Sequence, residues 1–292
     1  MAKSNPQLGQ PNWRIPEFVP AFVEGNEFAP NLYRVYNEDV AKRFDNNTYL
    51  QVMTLVPANG ENLAYMSGSN VFANARLDTI ARQNGMRVAT LADLSNPHVM
   101  AMVKDRFYTD TPAFVVQSAE DSRTQNKGLL KQVIGFAEQK AGSVKFPFMV
   151  TGFDLVPFPE DAKQGYGLGI VARPDFAVTQ DARLSGKNYG KSFNEVDEPG
   201  LPKFDKNGKR NFYARNEGLA WLFLGRYLSL NAGSGNLAYS CGSGRVVLIS
   251  GGATSADFFA HYQANLQKEL EARKSELDTW LAESMAKMPG KK

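Results

Sequence analysis

The chain has 292 residues, enough for one large domain or two modest ones, and its 43% hydrophobic and 22% charged content is ordinary for a globular protein. Thirty-three Lys and Arg against 30 Asp and Glu give a net charge of +3, which argues against a dedicated nucleic-acid binder. A single cysteine, Cys241, rules out an intrachain disulfide, and with only His98 and His261 beside it a zinc site of the usual ligand type is not expected.

The N-terminus, MAKSNPQLGQPNWR, is polar and has no apolar signal core, and no apolar run approaches the length of a membrane span. Synthesis and folding in the cytosol without a signal peptide are expected. Incorporation into a virus particle or display at a cell surface stays open. Residues 1–47 read as an extended, Pro- and Asn-rich arm and lead-in. Thr48–Leu55 reads as a strand and PANGEN after it as a turn. Asn70–Asn84 has helical spacing through Val71, Ala75, Ile80 and Ala81, with Gly85 suited to stop the helix. Thr90 is placed to cap a second helix carrying Val99, Met102, Val103 and Phe107. Ala113–Ser118 predicts a short buried strand and Asn126–Lys140 an amphipathic helix. Lys145–Phe158 and Gly167–Ala172 read as strands joined by a polar turn, and Leu184–Arg210 as a surface loop or small hairpin.

The stretch from Gly218 to Ser250, GLAWLFLGRYLSLNAGSGNLAYSCGSGRVVLIS, carries the most information. Leu222, Leu224, Leu228 and Leu230 fall on one parity; Trp221, Phe223, Gly225, Tyr227, Ser229 and Asn231 fall on the other. In an extended chain these sets face opposite ways. A uniform inner face beside a chemically mixed outer one suits a scaffold that displays a surface. Arg245–Ser250 reads as an apolar strand inside a sheet. Beyond Gly251–Gly252, Phe259, Leu266, Leu270, Leu277, Leu281 and Met285 follow helical spacing, predicting a helix over 253–292 that folds back on the domain or joins two copies.

Two segments together resemble the C-type-lectin-like fold shared by relatives of formylglycine-generating enzymes and by the variable proteins of diversity-generating retroelements. In the first, NGMRVATLADL (84–94), Gly85, Arg87 and Thr90 match a Gly-x-Arg-Leu-Pro-Thr turn between two helices, while Val88 and Ala89 depart from it. The second runs through GLAWLFL, NLAYS and GRVVLIS, similar to the last strands of that fold. The resemblance implies an α+β domain over 48–252 with short twisted antiparallel strands, two or three helices and a variable region at about 219–243.

The variable-protein branch implies substitution of adenines at AAC or AAT codons, which cannot yield Lys, Glu, Gln, Met or Trp. Residues 222–243 contain none of these, where the chain's own usage would place about four. The implied varied positions are Phe223, Gly225, Tyr227, Ser229, Asn231, Gly233, Ser234, Gly235, Asn236, Tyr239, Cys241 and Ser243, with Leu222, Leu224, Leu228, Leu230, Leu237 and GRVVLIS as the fixed frame. Tyr and Phe among Ser, Gly and Asn is also the composition of a paratope. The expectation is a receptor-like protein with no catalytic residue, no metal, no cofactor and no nucleic-acid partner. Its ligand would be a protein or a glycan, and the C-terminal helix would allow a homo-oligomer. Two alternatives stand beside it: an enzyme on the same fold, whose paired active-site cysteines this chain cannot supply, and a phage or structural assembly protein. Cys241 and both histidines read as incidental. The glycine turns SGSN (67–70) and GYGLG (165–169) lack the Lys-Ser/Thr and the strand–loop–helix context of a phosphate loop.

Overall fold

The computed structural model describes residues 28–57, 64–83 and 86–250, together with Lys274. Most of the expected N-terminal arm, the PANGEN turn after Pro57, Asn84, Gly85, His261 and the expected C-terminal helix other than Lys274 therefore lie outside the described residues. Leu32, Tyr36, Val40 and Phe44 recur every four residues and are buried, so Phe28–Phe44 forms a helix, α1, where an extended lead-in was expected. Pro30 falls in its first turn, where a missing N–H breaks no helical hydrogen bond. Thr48–Val52 is a turn rather than a strand, because Asn47 takes the N–H groups of Tyr49, Leu50 and Gln51. Only Thr54–Pro57 (β1) is extended, and it pairs antiparallel with Ala64–Ser67 (β2).

Asn70 caps the next helix, α2 (Val71–Arg82), by accepting the Ala73 N–H at 2.8 Å. Nearly every side chain of α2 is buried, Arg76 and Asp78 included. Both ions are paired, Arg76 with Asp39 and Asp154, and Asp78 with Arg173, as buried charges must be. After β3 (Met86–Val88), Thr90 caps no long helix: a single 3-10 turn follows at Asp93–Ser95, with Ala92 at its N-cap. The Asp93 carboxylate takes the Thr90 N–H and hydroxyl and an ion pair from Arg87. The helix itself, α3, begins at Pro97 and ends at Val103.

Tyr108–Val116 (β4) is longer than the expected strand, and α4 (Lys127–Ala141) turns Leu129, Leu130, Val133 and Ala137 inward. Phe148–Pro157 (β5) and Leu168–Gln180 (β6) form a long hairpin. The Lys- and Gly-rich stretch contains Ser192–Val196 (β7) and Pro202–Phe204 (β8), followed by Arg210–Ala214 (β9). Leu219–Leu224 (β10), Leu230–Ala232 (β11), Gly244–Arg245 (β12) and Leu248–Ser250 (β13) complete the order.

The fold is α+β. Eleven strands form one mixed sheet whose path runs β1-β2-β12-β4-β10-β11-β9-β7-β8, with β5 also paired to β4 and carrying β6. Strand β13 pairs with β3 in a separate antiparallel ribbon, Leu248 opposite Val88 and Ser250 opposite Met86. GRVVLIS is thus divided: Arg245 lies on β12 beside β4, and Leu248–Ser250 leaves the main sheet. Among the described residues no helix is long and apolar enough to cross a membrane.

The parity of β10 is real, but both of its faces are covered. Leu219 and Trp221 enter the main core with α1, α2 and α4. Ala220 and Leu222 enter a second core with Phe193, Leu201 and Phe212, and Leu224 a third with Phe107 and Ile249. Trp221 is only 2% exposed, so the expected outer face is not a solvent face at that point. Alternation separates two faces without saying what lies against each.

Candidate functional site

The twelve expected positions begin where β10 ends. The chain does not continue extended to Asn231: it turns over Gly225–Ser229, with Gly225 N–H donating to the Ser229 carbonyl and Leu228 N–H to the Gly225 carbonyl, both at 2.8 Å. Leu228 sits at φ 61°, an uncommon conformation for a branched residue. The chain returns as β11, which places Asn231 directly opposite Phe223.

Phe223 is half-buried. Its ring stacks on Trp221 at 5.2 Å and meets the edge of Tyr108 at 5.9 Å. Tyr239, 48% exposed, covers the same group, its ring 6.5 Å from both Trp221 and Tyr108. Cys241 donates its N–H to the Tyr108 hydroxyl at 3.2 Å, and its Sγ lies 3.0 Å from Ser243 Oγ. Phe223, Asn231, Tyr239, Cys241 and Ser243 therefore gather around a Trp221–Tyr108 platform. Tyr227, 67% exposed at the tip of the turn, packs under Arg226 at 4.8 Å and joins none of the ring contacts of the platform. Gly225, Ser229, Ser234 and Asn236 are half-buried, and Gly233 and Ser243 exposed.

Gly235 differs from the rest. It is buried, and a Cβ there would overlap the Arg215 guanidinium, so it belongs to the frame and not to the displayed set. A Cβ at Gly233 meets only Asn231 Oδ1 at 3.1 Å and Tyr213 at 3.8 Å.

The backbone of 233–243 is held partly from within, Asn231 Oδ1 accepting the Gly233 N–H at 2.7 Å and Ser234 Oγ the Asn236 N–H at 3.2 Å, and partly from outside. Leu237 is buried in the main core. The Gly235 carbonyl accepts from Asn126 Nδ2 at 3.0 Å, and the Ala238 carbonyl from Asn70 Nδ2 at 3.5 Å. The Cys241 N–H is held by Tyr108, and the Ser69 N–H reaches Ser240 Oγ at 3.0 Å. Asn126 is itself locked by Asp121, which also takes the Leu219 N–H and the Arg215 guanidinium. Burial alone would raise the Asp121 carboxyl; the hydrogen bonds from Asn126, Leu219 and Arg123 and the charge of Arg215 outweigh it and hold the group below the usual carboxylate range.

Beneath the platform sits Asp110, on the same parity of β4 as Tyr108. Trp221 Nε1 donates to its Oδ1 at 2.6 Å, while Oδ2 is enclosed without a hydrogen-bond partner. Burial pushes its pKa up to about 7, against weaker opposition from Ser69 and the Trp221 indole. Burial, helped by Asp110, also raises the Tyr108 phenol. Burial likewise pushes the Cys241 thiol up, but hydrogen bonds from Ser243, Tyr239 and Tyr108 prevail and set it below the ordinary thiol value. Hydroxyls and aromatic rings surround this thiol, and no group of three His, Cys, Asp or Glu side chains is placed to hold a metal among the described residues.

Tyr108, Asp110 and Ser69 were not candidates on sequence. The usable signal was an aspartate at an inward parity of a strand containing Phe114 and Val116. Comparison of the chain with protein-family models, curated proteins and solved structures gives no match.

Proposed function

We propose that the chain is a ligand-binding protein that presents the exposed side chains of 223–243 as a sequence-tolerant surface, on a C-type-lectin-like scaffold of the kind used by variable proteins of diversity-generating retroelements. The observation that carries this reading is the fixing of the 233–243 backbone by Asn70, Asn126 and Tyr108, none of which lies in the displayed set. The anchors at Gly235, Ala238 and Cys241 therefore do not depend on the side chains displayed between them. The lack of Lys, Glu, Gln, Met and Trp in 222–243 supports the same reading. So does the pairing of β3 with β13, which brings together the two segments that carry the resemblance. The ligand is a protein or glycan surface, and self-association through 253–292 would multiply weak contacts.

The test is a library randomised at the exposed Tyr227, Gly233, Tyr239 and Ser243. Substitutions at exposed positions cost within about 0.5 kcal/mol each, so most members should melt within several degrees of the parent and yield binders to unrelated targets on selection. Widespread unfolding of the library would overturn the reading.

A further inference from the structure

Arg210 is a cation set into the protein without an acid. Its side chain is 7% exposed. Nε donates to the Leu228 carbonyl at 2.9 Å, and the guanidinium lies over the Phe193 ring at 4.5 Å. The other deeply set arginines are different: Arg76 faces Asp39 and Asp154, Arg173 faces Asp78 and Asp175, and Arg215 faces Asp121 and Glu217. Among the described residues no carboxylate comes within 4.0 Å of Arg210. Among the described residues its terminal nitrogens find no acceptor, yet they are not sealed in. Among the described residues the fully enclosed unpartnered side-chain atoms are Asn74 Oδ1, Thr109 Oγ1, Asp110 Oδ2 and Gln132 Nε2.

The cost of this arrangement shows in the side chain's own equilibrium, since desolvation lowers its pKa to about 10, still charged at neutral pH. A desolvated charge is returned to balance only by a pairing anion with good geometry. Nε is already committed to Leu228. The free edge is therefore the end of the fork, one N–H from each terminal nitrogen, which matches the two oxygens of a carboxylate. The place is also specific. Leu228 belongs to the Gly225–Ser229 turn, so Arg210 stands directly behind the displayed Tyr227 and Ser229, and β9 runs beside β11 with Leu230 opposite Phe212.

We propose that Arg210 is a fixed anion anchor at the edge of the displayed surface, taking the carboxylate of an Asp or Glu side chain on a protein ligand. The assignment to a ligand rests on the function proposed above; the anchor itself does not. At 7% exposure Arg210 favours a slender side-chain carboxylate over one borne on a sugar ring, and the neighbouring Tyr227 and Ser229 suit protein contacts.

The experiment is a titration of the full chain, labelled with 15N-arginine, by sodium acetate, with sodium chloride at matched ionic strength and sodium glucuronate as comparisons. The Arg210 Nε–H signal is assigned by its loss in Arg210→Lys. Acetate should shift that signal saturably in the millimolar range, chloride should not, and glucuronate should bind at least tenfold more weakly. Arg210→Lys, which keeps the charge without the fork, should weaken acetate-dependent thermal stabilisation by tenfold or more in midpoint. No saturable acetate shift, or an equal response to chloride, overturns the anchor. Glucuronate binding as tightly as acetate overturns the assignment to an acidic side chain. Acetate binding alongside an unfolding library would retain the anchor and remove the displayed surface; the converse would retain the surface alone.

Discussion

Replacing Asp110 with Asn removes one proton equilibrium from beneath the aromatic platform and nearly nothing else. The folded state holds the Asp110 proton up to about pH 7, whereas an ordinary aspartate releases it near 3.8. Because the folded pKa is the higher one, the stability linked to this proton is fully present below the unfolded value and is lost as pH rises through the folded one. About three pH units at about 1.36 kcal/mol each amount to about 4 kcal/mol. Asparagine has no such step, and its carbonyl keeps the Trp221 N–H acceptor. Its amide, enclosed where Oδ2 now sits, adds an offset of about 1–3 kcal/mol if unpaired, but that offset does not vary with pH. The measurement is urea unfolding from pH 4.5 to 8, followed by tryptophan fluorescence. The difference between Asp110→Asn and the parent should move in favour of the variant by about 1.4 kcal/mol per pH unit between about pH 5 and 6.5. Asp93, Asp121, Asp175 and Asp181 have lowered values and act oppositely, losing stability as pH falls through them, and they cancel in the difference. Parallel curves for parent and variant would refute the account of Asp110 as an enclosed, half-satisfied carboxyl.

Two further contrasts test the division between frame and display. Leu222→Ala should cost about 2–5 kcal/mol in chemical unfolding, since Leu222 is buried beside Phe193 and Phe212. Tyr227→Ser, at the exposed tip of the turn, should stay within about 0.5 kcal/mol of the parent. Gly235→Ala should lower the melting temperature clearly and Gly233→Ala little, because only the first drives a methyl into the Arg215 guanidinium. Equal effects at the two glycines would return Gly235 to the displayed set.

What the sequence showed followed the strength of local signals. The spacing of Val71, Ala75, Ile80 and Ala81 announced α2, and that of Leu129, Leu130 and Val133 announced α4, because periodicity is a local property. The helix α1 was hidden by Pro30 and the surrounding asparagines, although Leu32, Tyr36, Val40 and Phe44 keep a four-residue period. The turn at Gly225–Ser229 was hidden for a different reason. Its sequence GRYLS has one glycine and a leucine in the left-handed region, so the turn is imposed by pairing of β11 with β9 and β10 rather than by turn chemistry. The platform under the displayed residues joins Tyr108 and Asp110 to Trp221 across 111 residues in the case of the Asp110–Trp221 bond, a separation that no window of sequence reveals.

The geometry shifts where the proposed display can lie. A strand at the centre of a sheet has neighbours on both faces, and β10 is flanked by β4 and β11 with separate cores above and below. Rewriting Trp221 there would cut the main core and leave the Asp110 carboxyl without its donor, a loss of the cavity-forming kind. Exposed and half-exposed residues become frequent only after Leu224, where β10 ends. From there the chain alternates between anchored points, Leu230, Leu237 and Val246 buried in cores, and exposed or half-exposed spans between them. If the proposed display is right, its positions are the spans between these anchors, and Phe223, half in the platform and half out, marks their boundary.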